Sequence, residues 1–171
     1  VVSASEGVAT FNGTAGLRAS SNENDISEVL KSFTLAFDIK ASTAHGGWAE
    51  PVSFGWNAWE PTKWGTFQFS SGSNLLRYST GANIDGTTNA FWAHEIGNVK
   101  TDGFQSVLLV ADPGKKIEVY LDGALKYSYD LPQDFTFSDP NMRFALGGGS
   151  CWGNLYNPFI GELKNVEIYD F

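Results

Sequence analysis

The residues most open to chemistry in this chain are rings and polar groups suited to holding a sugar. Of its six tryptophans, Trp48, Trp56, Trp59 and Trp64 crowd one stretch broken by Pro51, Pro61 and several glycines, and Trp92 and Trp152 complete the set. A sugar ring turns axial C–H bonds toward an indole plane, and its hydroxyls need flanking Asn, Gln, Asp or Arg as donors and acceptors. Trp56 extends the alternation of Val52 and Phe54 and is expected in the core. Trp48 and Trp59 fall in loops, and Trp152 falls in the loop Gly149–Asn157 beside Asn154 and Tyr156. The competing role for such rings is to cover the edges of a core under long loops.

Facing follows from period-two alternation, because successive side chains of a strand point to opposite sides of its sheet. If Phe67 and Phe69 point inward, then Thr66, Gln68 and Trp64 point outward. By the same logic, inward Leu76 and Tyr78 leave Arg77 and Ser79 outward, and inward Phe91 and Ala93 leave Trp92 and His94 outward. Gln68, Arg77, Trp92 and His94 then form one polar, aromatic platform if their strands are neighbours. The alternative is an ordinary solvated sheet face. The expected carbohydrate-binding set is Trp64, Gln68, Arg77, Trp92, His94, Trp59, Trp152 and Asn154. Arg77 could fork onto the carboxylate of an acidic sugar, a role for which Arg18 and Arg143 compete.

The elements that must position these groups are strands. Phe33, Leu35, Phe37 and Ile39 alternate with Thr34, Asp38 and Lys40. The series Val107, Leu109, Ala111 and Ile117, Val119, Leu121 behave alike. One wet face and one buried face is the pattern of antiparallel sandwiches. Asp122-Gly123 is the strongest hairpin signal. Ser71-Gly72-Ser73-Asn74, Pro113-Gly114 and Gly147-Gly148-Gly149 punctuate other strands. The count is roughly a dozen strands at sandwich spacing, and only Asp25–Lys31 could make a short helix.

Charge and composition exclude several classes. The net charge is −8 and the eleven Lys and Arg form no run, which argues against nucleic acid and anionic membranes. No stretch approaches the roughly 18 apolar residues of a membrane helix. Cys151 is the only cysteine, so an internal disulfide and zinc–thiolate clusters are excluded. The two histidines, His45 and His94, offer no metal spacing, and neither a nucleophile elbow nor a phosphate loop before a helix occurs. Acidity permits Ca²⁺, and it also serves solubility. Asn12-Gly13-Thr14 is a glycosylation sequon.

Four segments in order carry a family resemblance. Phe159-Ile-Gly-Glu-Leu-Lys-Asn-Val-Glu-Ile-Tyr169 resembles the final strand of laminin-G-like domains of the concanavalin A-like superfamily: an aromatic, a Gly two later, then an alternating strand. Phe104–Asp112 with Ile117–Gly123 resembles that family's paired strands closing on Asp-Gly. Val8–Gly13 resembles its opening strand, and Ser32–Lys40 its "Phe-Thr-Leu" strand. The resemblance implies a curved sheet whose concave side carries ligand, and a fold shared by sugar-binding modules, lectins, adhesion domains and a few glycanases and lyases. Glu23-Asn-Asp25-Ile-Ser-Glu28 spells the acidic pattern of the superfamily's retaining glucanases, which need two carboxylates about 5 Å apart. Here it lies in a polar segment without the apolar interleaving of a strand, so no catalytic residue is assigned. The resemblance also suggests a structural Ca²⁺. Glu6, Asp38, Asp112, Asp139 and Asp170 are the available carboxylates, and the metal ligands stay unassigned. Related glucanases carry a calcium-ligating Asp on the last strand where this sequence has Lys164-Asn165.

The expectation is therefore one all-β domain over 1–171, a two-sheet antiparallel jelly-roll sandwich, not an enzyme, starting inside mature protein and belonging to a larger secreted or surface protein. Its expected partner is a glycan, with neither nucleic acid nor membrane insertion. A structural or protein-binding adhesion domain is the alternative, and a small glycanase or polysaccharide lyase the third.

Overall fold

A computed structural model of the chain describes residues 2–18, 32–42, 45, 48–55, 64–84, 87–112, 115–130, 144–151 and 154–170; at 2–4, 18, 55, 64, 81–84, 87–93, 149–151 and 154–156 it describes backbone alone. In chain order the strands are β1 (Val2–Ser5), β2 (Val8–Asn12), β3 (Leu17–Arg18), β4 (Phe33–Ala41), β5 (Val52–Gly55), β6 (Trp64–Phe69), β7 (Leu75–Ile84) and β8 (Thr87–Asn98). They continue with β9 (Gln105–Asp112), β10 (Lys116–Leu121), β11 (Ala124–Asp130), β12 (Phe144–Leu146), β13 (Gly149–Cys151), β14 (Asn154–Tyr156) and β15 (Ile160–Asp170). The helix expected at Asp25–Lys31 lies outside the described residues.

The strands make a seven-stranded sheet, β1-β2-β15-β4-β9-β10-β11, and a six-stranded sheet, β3-β12-β5-β6-β7-β8, with β13-β14 as a separate pair. Every pairing is antiparallel. The inner faces meet in one core. In β4 the residues Phe33, Leu35, Phe37, Ile39 and Ala41 are buried while those between them are half-buried. Rings interlock across the two sheets: Phe37 meets Phe67 edge-on at 5.1 Å between centroids, and Phe33 meets Phe54 at 5.4 Å. Edge-to-face geometry adds roughly 0.5–1.5 kcal/mol per pair beyond area burial. Among the described residues this architecture is an all-β sandwich.

Local chemistry fixes the register. Asp122 and Gly123 both take positive φ, 49° and 76°, which the tight two-residue turn between β10 and β11 requires. Asp122 also anchors the start of β9: Oδ1 accepts from the Ser106 amide at 3.0 Å and Oδ2 from Gln105 Nε2 at 2.9 Å. In the last strand Gly161 sits at φ 156°, where a Cβ would strike the Phe159 ring and the Lys40 carbonyl. The spacing of an aromatic and a glycine two residues later is thus a packing requirement: the ring lies where a side chain would otherwise be. Farther along, β15 bulges between Lys164 and Glu167, with Asn165 at φ 51° and its amide donating to Asp38 Oδ2 at 2.8 Å.

Two expectations are corrected. The segment Gly149–Asn157 is largely not a loop, since β13 and β14 pair antiparallel within it, Ser150 opposite Leu155. His94 does not face outward. It pairs with Tyr78, a fully buried core residue, and stacks on Tyr127 of the other sheet at 4.2 Å. The reason is irregular register. Pairing runs from Tyr78↔His94 to Thr80↔Phe91, so β8 spends one more residue than β7, and a second shift falls between Leu76 and Arg77. Each such bulge flips the parity on which simple alternation depends.

Candidate functional site

The outer face of the six-stranded sheet carries a row of polar side chains crossing the strands. Phe67, Phe69, Leu76 and Tyr78 fill the core, so Thr66 and Gln68 on β6, with Arg77 and Ser79 on β7, turn the other way. Antiparallel register sets Gln68 opposite Arg77, Arg77 opposite Glu95, and Thr66 opposite Ser79. Cross-strand neighbours of this kind stand about 4.5–5.5 Å apart at Cβ.

Glu50 completes the row from the side of β5. The chain before β5 is held to the end of β6 by Phe69 N donating to the Ala49 carbonyl, 2.8 Å, and to the segment after β14 by Glu50 N donating to the Asn157 carbonyl, 2.8 Å. The Glu50 carboxylate accepts from Asn157 Nδ2 at 2.6 Å and from Gln68 Nε2 at 3.3 Å, both on Oε1. Gln68 Oε1 accepts from the Ser79 hydroxyl at 3.4 Å. These groups are recessed: Glu50 and Gln68 are 8% exposed and Ser79 is fully covered. Burial pushes the Glu50 carboxyl above the ordinary carboxylate range, opposed by hydrogen bonds from Asn157, Gln68 and Thr66.

Arg77 and Trp48 form the accessible end. The guanidinium carbon lies 6.0 Å from the Trp48 ring centroid, within cation–π range. Trp48 is 48% exposed, an unusually wet position for an indole. Arg77 Nη2 reaches Glu95 Oε1 at 3.4 Å, and its Nε is buried without a hydrogen bond to any described residue. The arrangement offers a flat apolar ring, a fixed guanidinium and a carboxylate held by amides. These are the parts that stacking on a sugar and bonding its hydroxyls require.

Against the sequence expectation, the structure brings Gln68 and Arg77 together as a cross-strand pair and places His94 on the core side. Trp64, Trp92 and Asn154 lie on strands β6, β8 and β14, with their side chains outside the described residues; Trp59 and Trp152 lie outside them altogether. Sequence reasoning missed Glu50, Asn157 and Glu95. Alternation with Val52 and Phe54 would send Glu50 inward, and the break at Pro51 reverses it. Among the described residues no group of three His, Cys, Asp or Glu converges as a metal cage. Of the suggested carboxylates, Asp38 accepts from Ser106 and Asn165, and Asp112 pairs with Lys115 at 2.9 Å.

Solved structures share this architecture over most of the chain. The CBM40 module of the Ruminococcus gnavus IT-sialidase, seen with α2,3-sialyllactose, aligns over 91% of this chain and 90% of its own, with a TM-score of 0.62 and 16% identity. Domain 4 of AbnA, a GH43 extracellular arabinanase from Geobacillus stearothermophilus in complex with arabinotriose, aligns over 99% of this chain and 75% of its own (TM-score 0.63, 21% identity). The LG1-3 region of the laminin α2 chain aligns over 96% of this chain and 31% of its own (TM-score 0.66, 15% identity). The fold is the laminin-G and concanavalin A-like sandwich. At these identities the likeness speaks for architecture and not for ligand. The neighbours of this laminin-G-like sandwich also include NanB, solved with Optactamide, at 14% identity. No protein-family model matches the sequence, and no curated protein is significantly similar to it.

Proposed function

We propose that this chain is a non-catalytic carbohydrate-binding module that holds a glycan on the outer face of its six-stranded sheet. The observation carrying the reading is the half-exposed Trp48 beside Arg77, at the open end of the recessed row Gln68, Glu50 and Asn157. A sugar ring stacks on the indole while its hydroxyls reach the guanidinium and the recessed acceptors. Support comes from two neighbours of the same fold whose structures hold sialyllactose and arabinotriose. Trp64, Trp92, Trp59, Trp152 and Asn154 remain in the proposed set through their sequence positions, and His94 leaves it. The module acts within a larger secreted or surface protein, in keeping with the extracellular arabinanase that contains one neighbour. A shallow site of this kind binds on the order of micromolar to millimolar and gains through multivalency.

Trp48→Ala tests the reading. Affinity electrophoresis in polysaccharide gels should show retention reduced at least tenfold. The unfolding free energy should stay within about 0.5 kcal/mol, because a half-exposed ring contributes little to the core. Undiminished retention would remove the site.

A further inference from the structure

We infer that the Trp48–Arg77 site selects uncharged, hydroxyl-rich sugars and turns away carboxylate-bearing ones, with Glu95 as the specificity-determining residue. The inference rests on the proposed binding role of this face and adds the charge class of its ligand.

The reasoning is an inventory of donors and charges. Among the described residues the row holds one cation, Arg77, between two carboxylates, Glu50 and Glu95. Arg77 already has Glu95 on Nη2 at 3.4 Å, on the same edge of the guanidinium as Nε. A carboxylate seeking a two-point fork on that edge must displace Glu95. It would then stand beside two like charges, on a protein of net charge −8. The described partners of Glu50 are the amides of Gln68 and Asn157 and the Thr66 hydroxyl, all of them uncharged, so among the described residues hydrogen bonds and no cation meet its carboxylate.

What remains unmet on the row is mixed in kind. Arg77 Nε–H is a buried donor with no described partner and needs an acceptor. Glu95, exposed over 65% of its side chain, has lone pairs to give and needs donors. A hydroxyl supplies both, since it donates one proton and accepts through two lone pairs; a carboxylate only accepts. Two adjacent hydroxyls of a neutral sugar answer the guanidinium and the carboxylate together while the ring stacks on Trp48. Glu95 thus excludes anions by occupying the fork and by its own charge.

The experiment compares matched neutral and acidic ligands. Binding of lactose and arabinotriose is measured against sialyllactose and trigalacturonate by isothermal titration at neutral pH, for the unaltered chain and for Glu95→Gln. The expected result is at least a tenfold preference for the neutral ligands. Glu95→Gln should narrow it about tenfold, and added salt should narrow it in the unaltered chain. Preference for the acidic ligands, or a preference unmoved by Glu95→Gln, overturns the selectivity and leaves the binding face standing. Binding of none of the four ligands overturns both. Because Glu95 is largely exposed, its variant should unfold at the temperature of the unaltered chain, which separates lost selectivity from lost structure.

Discussion

The outer faces of the two sheets treat polar side chains in opposite ways. On the six-stranded sheet, Glu50, Thr66, Gln68 and Ser79 are buried; Gln68 links Glu50 to Ser79, and the Thr66 hydroxyl donates to backbone carbonyls. On the seven-stranded sheet, Asp38 accepts from the Ser106 hydroxyl at 2.6 Å and from Asn165 in the open, beside a shallow groove floored by Ala36 and Leu108. Its ion pair between Lys40 and Glu162, 3.1 Å, stays partly open to solvent on both sides. Both faces come from the polar half of the same alternation. The difference is desolvation, which makes hydrogen bonds directional and costly to break on one face and nearly neutral on the other.

Gln68→Leu should show the largest effect. It strips a donor from the buried Glu50 carboxylate and an acceptor from Ser79, and urea unfolding should register a loss of roughly 1–3 kcal/mol. A loss below about 0.5 kcal/mol would mean that the row is solvated like the opposite face.

Glu50→Gln should give a smaller and pH-dependent effect. Burial raises the Glu50 carboxyl above its usual value near 4.5 in the folded chain, so over that window the folded state binds more protons than the unfolded state. Stability attributable to Glu50 therefore falls as pH rises from about 4.5 toward the raised value. Glu50→Gln should lessen that fall and gain on the unaltered chain as pH approaches neutrality. Parallel stability curves from pH 4 to 8 would contradict the placement. Ser106→Ala, on the open face, should have the smallest effect, with the unfolding free energy changed by no more than about 0.5 kcal/mol. A larger loss would erase the contrast between the faces.

Most of the fold could be read from side-chain period alone. Phe33 through Ala41 follow strict alternation because β4 is central, paired on both sides and pressed against the opposite sheet along its inner face. Asp122-Gly123 was legible because few residue pairs accept two positive φ angles in succession. The candidate site was legible only where strands stay in phase. Gln68 and Arg77 lie on regular stretches of β6 and β7, and their facing follows from their neighbours. His94 lies between two register shifts that have no local sequence signature; Pro51 marks a break after Glu50, but a proline alone does not say to which face the preceding side chain turns. The pairing of β13 with β14 was hidden for a related reason: three-residue strands are too short to establish a period.

The hydrogen bonds that meet in the recessed row have a common direction. Ser79 gives its proton to the Gln68 carbonyl, the Gln68 amide gives to Glu50, and Asn157 gives to the same oxygen from the far side. Glu50 is the sink of this wire. Reversing either link through Gln68 forces its amide to turn end for end. The polarity chosen at the carboxylate is thereby imposed on a hydroxyl two strands away, with no movement of the main chain between them.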